Sequence, residues 1–386
     1  MTATLEQIVF WTCVGLLGYV YVGYPLLVYL VSVFFPKTVN RAEIEPFVTV
    51  LITAFNEEAA IREKLENTLK INYPADKLEI LVASDGSTDR TEEIVKEFAG
   101  RGVRLFRQDG RIGKTATQNN AVVDAGGEII LFSDATTAYS EDVFQALLPA
   151  FADESVACVA GRLVYVDDAG TTVGKGARRY WNYETFLKTS ESRACSLIGA
   201  SGCLYAVRKS AYEPMYPEAC SDFLICTSIY RQGLRSVFAP DAVCFEDTNR
   251  HASEELKMRV RVISQTFTDL WRNRDMLNPF KSGFFAIQLI SHKVLRYTVP
   301  IILFALFAAS IVLAPSSLFY LLVAAVQFLF YALAFAGWIM ERAGKRLNLL
   351  AMPLYFVLAN LASVVAFYKF LRGESYTSWE PIRQSR

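Results

Sequence analysis

The sequence is poor in histidine, in net charge and in closely spaced cysteines. It has two histidines in 386 residues, His251 and His292, too few for a histidine-rich zinc centre. Lys and Arg number 39, as do Asp and Glu, for a formal net charge of +0. That excludes the broad basic footprint of a nucleic-acid binder. Seven cysteines are scattered without a C-x-x-C, which argues against a disulfide scaffold. What the chain does have is apolar surface. Hydrophobic residues make up 53% and charged residues 20%, against ~45–50% and ~25% in a soluble domain. The mean hydropathy of +0.25 is only modestly raised, so part of the chain is expected in a membrane and part outside it. The length allows two or three domains.

Ile8 to Phe35 carries no charge and exceeds the ~20 residues that span a bilayer core. A cleaved signal peptide needs a basic leading segment, but the only charge before Ile8 is Glu6. Residues 1–40 are therefore read as an uncleaved anchor. Lys37 and Arg41 follow it, and the positive-inside rule places the N-terminus outside and the next segment in the cytoplasm. Residues 41–281 carry frequent charges and read as a globular domain. Residues 282–296 are aromatic and apolar but contain His292, Lys293 and Arg296, as suits an interfacial helix. Tyr297 to Met340 is uncharged and broken by the turn-like Ala314-Pro315-Ser316-Ser317, and Leu347 to Tyr368 is a further apolar run. Residues 297–371 are thus expected to be three membrane helices, followed by a tail, 372–386. Three crossings leave Lys369, Arg372, Arg383 and Arg386 outside. Either the charge rule fails here or one C-terminal segment is interfacial. The expected location is the cell (inner) membrane, multi-pass, with the globular domain cytoplasmic.

Within that domain strands and helices alternate. Phe47 to Phe55 is a continuous apolar run, as for a strand buried on both faces. A helix over Glu57 to Lys70 follows, with Ile61, Leu65 and Leu69 on one face, then a strand Leu78 to Ala83 and a helix Thr88 to Phe98. Next come a strand Val103 to Phe106, a helix Lys114 to Ala125 and a strand Glu128 to Phe132. The pattern predicts an α/β, Rossmann-like, mostly parallel sheet. Ligands sit beyond the carboxyl ends of the strands in such sheets. Those ends read Asn56-Glu57-Glu58, Ser84-Asp85-Gly86-Ser87-Thr88-Asp89 and Ser133-Asp134-Ala135-Thr136. Each alone is ordinary turn or capping chemistry, whereas three carboxylate-bearing ends on one sheet edge indicate a site. Gly113-Lys114-Thr115 opens a helix but is not a P-loop, because the required earlier glycine is Gln108. A lysine at a helix N-terminus still suits a phosphate.

The ordered set ITAFNEE, SDGSTD, GKTATQN, SDAT, IGASGCLYAVRK and CSDFLI resembles the membrane-embedded family-2 glycosyltransferases of GT-A fold. Within them it is similar to the group of hyaluronan, chitin and poly-N-acetylglucosamine synthases. The resemblance covers roughly Phe47 to Pro300. It implies a nucleotide-sugar donor, usually a UDP-sugar, a glycan or lipid-linked acceptor, membrane lipid around the helices, inversion at the anomeric carbon, and Mg²⁺ or Mn²⁺. By position it assigns Thr53, Glu57, Asp85, Lys114, Asn119 and Asp134 to the donor. Asp85 would accept from the base N–H, Lys114 would contact the diphosphate with Asn119 supporting its loop, and Asp134 would hold the metal. It makes Asp222 the catalytic base and sets Gly199, Ser201, Gly202 and Arg261 beside the acceptor. Asp241 and Glu246 are read as structural.

Two positions depart from the family. The second carboxylate of its D-x-D is Thr136. Its Q-x-x-R-W is Met258-Arg259-Val260-Arg261-Val262, so only Arg261 is kept and the tryptophan that stacks on the acceptor sugar is missing. Trp271 and Trp379 are the candidate replacements, with an interfacial role as the plainer reading of both. Three functions stay open: extension of a polysaccharide, possibly with its translocation; transfer of one sugar to a lipid-linked acceptor; and a non-catalytic nucleotide-sugar-binding subunit of an envelope assembly. The apolar spans carry few ionisable residues and no inverted repeat, unlike a transporter.

Overall fold

The computed structural model describes residues 4–166, 172–247, 251–343, 345, 348–374 and 376, with no side-chain detail for 172–179 and 348. Eight strands form one sheet: β1 (Val48–Ala54), β2 (Leu78–Ser84), β3 (Val103–Arg107), β4 (Ile129–Asp134), β5 (Ala138–Tyr139), β6 (Val156–Val166), β7 (Tyr205–Arg208) and β8 (Arg235–Asp247). Their order is β3-β2-β1-β4-β7-β6-β8-β5. The half expected from the sequence, β3-β2-β1-β4, is parallel throughout. Beyond it the sheet is mixed: β7 runs antiparallel to both β4 and β6, and β5 is antiparallel to β8.

β1 is buried at every position because its alternate side chains serve two cores. Val48, Val50 and Ile52 point into one cluster with Ile61, Leu65 and Ile80. Leu51 points into the other with Leu81, Phe132 and Tyr205. The first helix is shorter than its periodicity suggests, Ile61–Thr68. Asn56 adopts φ +53, and its carboxamide oxygen accepts from Thr88 N at 2.7 Å. Glu57 N in turn donates to Thr91 Oγ1 at 2.8 Å. The loops after β1 and β2 are thus tied together, and that ties up the residues a longer helix would use.

Among the described residues, four helices are long and apolar enough to cross a membrane: Leu5–Phe34, Phe284–Ser316, Leu318–Arg342 and Ala351–Leu371. Large apolar side chains such as Phe34, Phe304, Leu321 and Phe328 face outward on them. The first packs on the second through Phe10, Cys13, Ile302 and Leu306. It also holds the domain, Tyr24 and Val28 packing on Leu187 and Ala194 of the helix Thr172–Ala194. Residues 282–296 were expected as a separate interfacial helix; from Phe284 they run unbroken into the following span, with a π turn at Ile290–Val294.

The helix Ala351–Leu371 stays with the domain along its whole length, beside the helix Ala252–Arg272. Tyr355 pairs with Arg259. Ala362 and Ala366 pack on Val260 and Ile263, and the Phe370 ring lies 5.8 Å from that of Phe267. Beyond its end, Gln265 Nε2 donates to Tyr376 O at 3.0 Å. A helix held this way at both ends fits the interfacial alternative for the C-terminal region.

One close approach sets the loop between β2 and its helix. Gly86 has φ +71, and a Cβ there would lie 2.7 Å from the Gly110 carbonyl. Gly86→Ala is therefore expected to lower stability by about 1–3 kcal/mol through backbone strain alone, read as a lowered midpoint of chemical denaturation.

Candidate functional site

Thr53 of β1 and Asp134 of β4 are register partners at the carboxyl end of the parallel strands. They open onto a cavity of about 1270 Å³ that runs past Asp222 to the foot of the helix Phe284–Ser316. Its centre is Gly202. A Cβ on that residue would meet Asp222 Oδ2 at 3.4 Å, Lys114 Nζ at 3.5 Å and Asp134 Oδ2 at 3.6 Å. Three charged side chains from three separate segments thus converge where one glycine leaves room.

Lys114 opens its helix behind Gly113 and pairs with Asp134. Burial works against its ammonium, but the Asp134 carboxylate outweighs burial and holds Lys114 above the ordinary lysine range. Asp222 is the second residue of the helix Ser221–Arg231. The N-cap is Cys220, with no side-chain capping bond, so a capping role for Asp222 is not realised. Its Oδ1 accepts only the weak Cys220 S–H at 3.0 Å. Its backbone oxygen accepts from Ala200 N at 2.9 Å, tying helix start to glycine loop. Cys220 N donates to Asp269 Oδ2 at 3.1 Å, and Tyr216 to the other oxygen of Asp269. Asp269 thereby pins the segment that presents Asp222.

Thr53, Glu57, Lys114, Asp134, Asp222, Gly199, Ser201, Gly202 and Arg261 all line the cavity. The Thr53 hydroxyl is buried without a hydrogen-bond partner. Ser201 Oγ accepts from Lys188 Nζ at 2.7 Å. Two residues expected at the donor lie outside the cavity lining. Asp85 is fully buried. Its oxygens accept from Ile112 N, Gly113 N and Thr117 Oγ1 at 2.8–3.1 Å, so it fastens the loop ahead of Lys114. Asn119 also lies outside the cavity lining; its carboxamide bonds Met215 O, Met215 N and Tyr212 OH. Among the tryptophans, Trp271 is 62% exposed and beneath Arg274 rather than in the cavity, Trp379 lies outside the described residues, and Trp181 lines the wall.

Glu246, read from the sequence as structural, lines the same cavity. It hydrogen-bonds Thr136, the residue standing where the family has its second carboxylate, and burial followed by the nearby Asp134 carboxylate pushes it up to about 8. The signal that would have found it is the one used for the other strands: a carboxylate at the end of a strand, here β8. No three His, Cys, Asp or Glu side chains among the described residues form a metal cluster. Two facing carboxylates still suit Mg²⁺ or Mn²⁺, which take one or two carboxylates and complete their shell with water and substrate phosphate.

A parallel β3-β2-β1-β4 core with acidic strand ends, extended by a mixed half-sheet that carries the glycine loop and Asp222, defines a GT-A domain. Residues 49–215 match the model of glycosyl transferase family 2. The chain is 28% identical over 226 residues, 55% of its length and 53% of the relative's, to the probable glycosyltransferase YdaM of Bacillus subtilis. It is 32% identical over 121 residues to the beta-monoglucosyldiacylglycerol synthase of a Nostoc species, covering 30% of the chain and 26% of that protein. With the poly-beta-1,6-N-acetyl-D-glucosamine synthase of Staphylococcus aureus it shares 24% over 244 residues, 61% of the chain and 54% of that protein. The chain thus spans about half the length, or less, of these curated relatives. A mannosyltransferase from Pyrobaculum calidifontis, solved with GDP-Man and Mn²⁺, superposes with a TM-score of 0.72 at 23% identity, over 96% of this chain and all of that one. Residues 49–215 therefore carry a glycosyl transferase family 2 domain, on a GT-A fold, and the described residues include four membrane-capable helices.

Asp269 gives the site a pH signature. Burial pushes its carboxyl up to about 7 from an unfolded value near 4. The folded state therefore holds the proton more tightly, and this contribution to stability is complete below about pH 4 and lost as pH rises through about 7. Asp269→Asn is expected to flatten the decline in thermal stability between pH 5 and 8. An unchanged slope in the variant would show that Asp269 is ionised throughout.

Proposed function

We propose that the protein is an inverting glycosyltransferase that takes a nucleotide sugar, a UDP-sugar by family resemblance, as donor, with Asp222 as general base. The observation that carries the reading is the meeting of Asp222, Lys114 and Asp134 around Gly202. Glycosyl transfer develops positive charge on the sugar ring and negative charge on the leaving diphosphate. Lys114 is placed to meet the diphosphate, and Thr53 and Glu57 line the donor end. The acceptor hydroxyl oxygen bonds to the anomeric carbon while the bond to the diphosphate breaks and its electron pair leaves with the nucleotide. The hydroxyl proton passes to Asp222. A single displacement inverts the centre. A divalent cation held by Asp134 and Glu246 would neutralise the leaving diphosphate.

Two acceptors are in play. Likeness to the poly-N-acetylglucosamine synthase favours extension of a cell-envelope or extracellular polysaccharide. Val262 in the cavity wall, where the family's acceptor-stacking tryptophan would stand, favours transfer of one sugar to a lipid-linked acceptor. The relative named for a glucosyl-lipid product points the same way. The length of the labelled product separates the two. We also place the domain in the cytoplasm and the N-terminus outside. With Ala351–Leu371 lying at the interface, the chain crosses three times and its basic tail returns to the cytoplasmic side, which satisfies the charge rule.

Asp222→Asn is expected to fold and to bind nucleotide normally by calorimetry, while kcat falls about 10²-fold or more. Retention of a third or more of wild-type transfer would remove Asp222 as the base. The topology is tested by single cysteines, since the seven native ones are buried. Ser317→Cys should label from outside intact cells and Glu374→Cys only after permeabilisation. Outside labelling of Glu374→Cys would mean that Ala351–Leu371 crosses.

A further inference from the structure

Three cations line the cavity without a side-chain hydrogen bond or an ion pair among the described residues: Lys70, Arg261 and Lys293. Lys70 is exposed at the surface, which leaves Arg261 and Lys293. Their neighbours are all engaged. Lys114 is paired with Asp134, and Arg259 with Glu255 at 2.7 Å. Lys188 is bonded to Ser201 Oγ and the Ala200 carbonyl. Glu184 is shared by Arg296 and His292, and Glu191 is bonded by His292 and Tyr24. Arg261, on the helix Ala252–Arg272, falls on the Asp134 and Asp222 side and is accounted for as an acceptor-side residue of that centre. Lys293 is not. It stands on the helix Phe284–Ser316, before the uncharged stretch that begins at Tyr297, so it sits where the cavity meets the membrane. Its ammonium lies 5.6 Å from the centre of the Phe223 ring, the residue next to the proposed base.

The carboxylate that faces Lys293 is Glu184, which Arg296 and His292 already share, so this cluster of cations has room for a further anion. An ionisable residue at a membrane helix, facing a polar cavity, marks a binding path. We propose that Lys293 binds the phosphoryl group of a lipid acceptor that enters the cavity from the bilayer, which sets the acceptor's hydroxyl beside Asp222. The apolar side chains of Phe223, Val262 and Tyr297 wall this end and suit the glycerol or first methylenes behind a phosphate. The chemistry recognised is a phosphate monoanion, and its position on a membrane helix selects a lipid as the source over free phosphate. This deepens the single-transfer reading and rests on it for the identity of the base, but not for the binding itself.

The test uses the full chain in detergent micelles and native mass spectrometry. Wild type, Lys293→Met and Lys293→Arg are each titrated with phosphatidylglycerol, with diacylglycerol and with inorganic phosphate. Calorimetry with UDP and Mn²⁺ runs in parallel. Wild type is expected to retain phosphatidylglycerol in preference to diacylglycerol. Lys293→Met should lose about tenfold of that affinity, the worth of one charge-assisted bond to phosphate, and Lys293→Arg should restore it. Nucleotide binding should be equal in all three. Equal retention of phosphatidylglycerol by wild type and Lys293→Met overturns the proposal, as does equal retention of diacylglycerol by wild type. Displacement of the lipid by equimolar inorganic phosphate overturns the lipid source. Loss of nucleotide binding in wild type counts against the transferase reading and leaves the lipid result to stand by itself.

Discussion

The ion pair between Lys114 and Asp134 is the contact around which the site is assembled. Lys114 reaches it only because Gly113 and Ile112 are fastened by Asp85, and Asp134 reaches it because β4 ends in register with Thr53 of β1. The pair is neutral overall and borders a cavity large enough for a nucleotide sugar. An incoming diphosphate gives Lys114 a second anion, and a divalent cation gives Asp134 a second positive partner. The apo pair thus stores, in mutual satisfaction, two groups that donor binding would separate. That storage avoids the cost of keeping either charge buried and unpaired.

The opposite wall is built from parts that come together only in the folded chain. Asp222 lies on a helix whose first turn is pinned by Asp269, and Asp269 belongs to the helix Ala252–Arg272. Arg261 is on that same helix. Gly202 and Ser201 come from the loop before β7, and Glu246 comes from β8. The antiparallel insertion of β7 between β4 and β6 is what brings the glycine loop up against Asp134.

The parallel half of the sheet was legible in the sequence because each strand is a short apolar run with a helix after it, and pattern is a local property. The same logic of strand ends located Asp134, Lys114 and Glu57. It did not reveal the loop bonds of Asp85 and Asn119, because which backbone N–H groups fold over a polar side chain is not a local property. Here those groups are more than twenty residues away from Asp85. β7 and β5 were not readable: they are four and two residues long, and their pairing is antiparallel and non-local. Glu246 escaped for the same reason, since its distance from Asp134 is set by β8 joining the sheet at its far side. Composition left the placement of Ala351–Leu371 open, and its side-by-side packing on Ala252–Arg272 is a tertiary contact that no local pattern shows.

That packing couples the candidate site to its surroundings. One face of the Ala252–Arg272 helix pins the Asp222 segment through Asp269 and carries Arg261 to the cavity. Its other side rests on a helix whose outer residues, Met352, Leu361 and Val364 among them, are exposed apolar groups. The wall that presents Asp222 and Arg261 thus stands one helix away from an apolar outer surface, and whatever covers that surface is mechanically joined to the cavity through Val260, Ile263, Ala362 and Ala366.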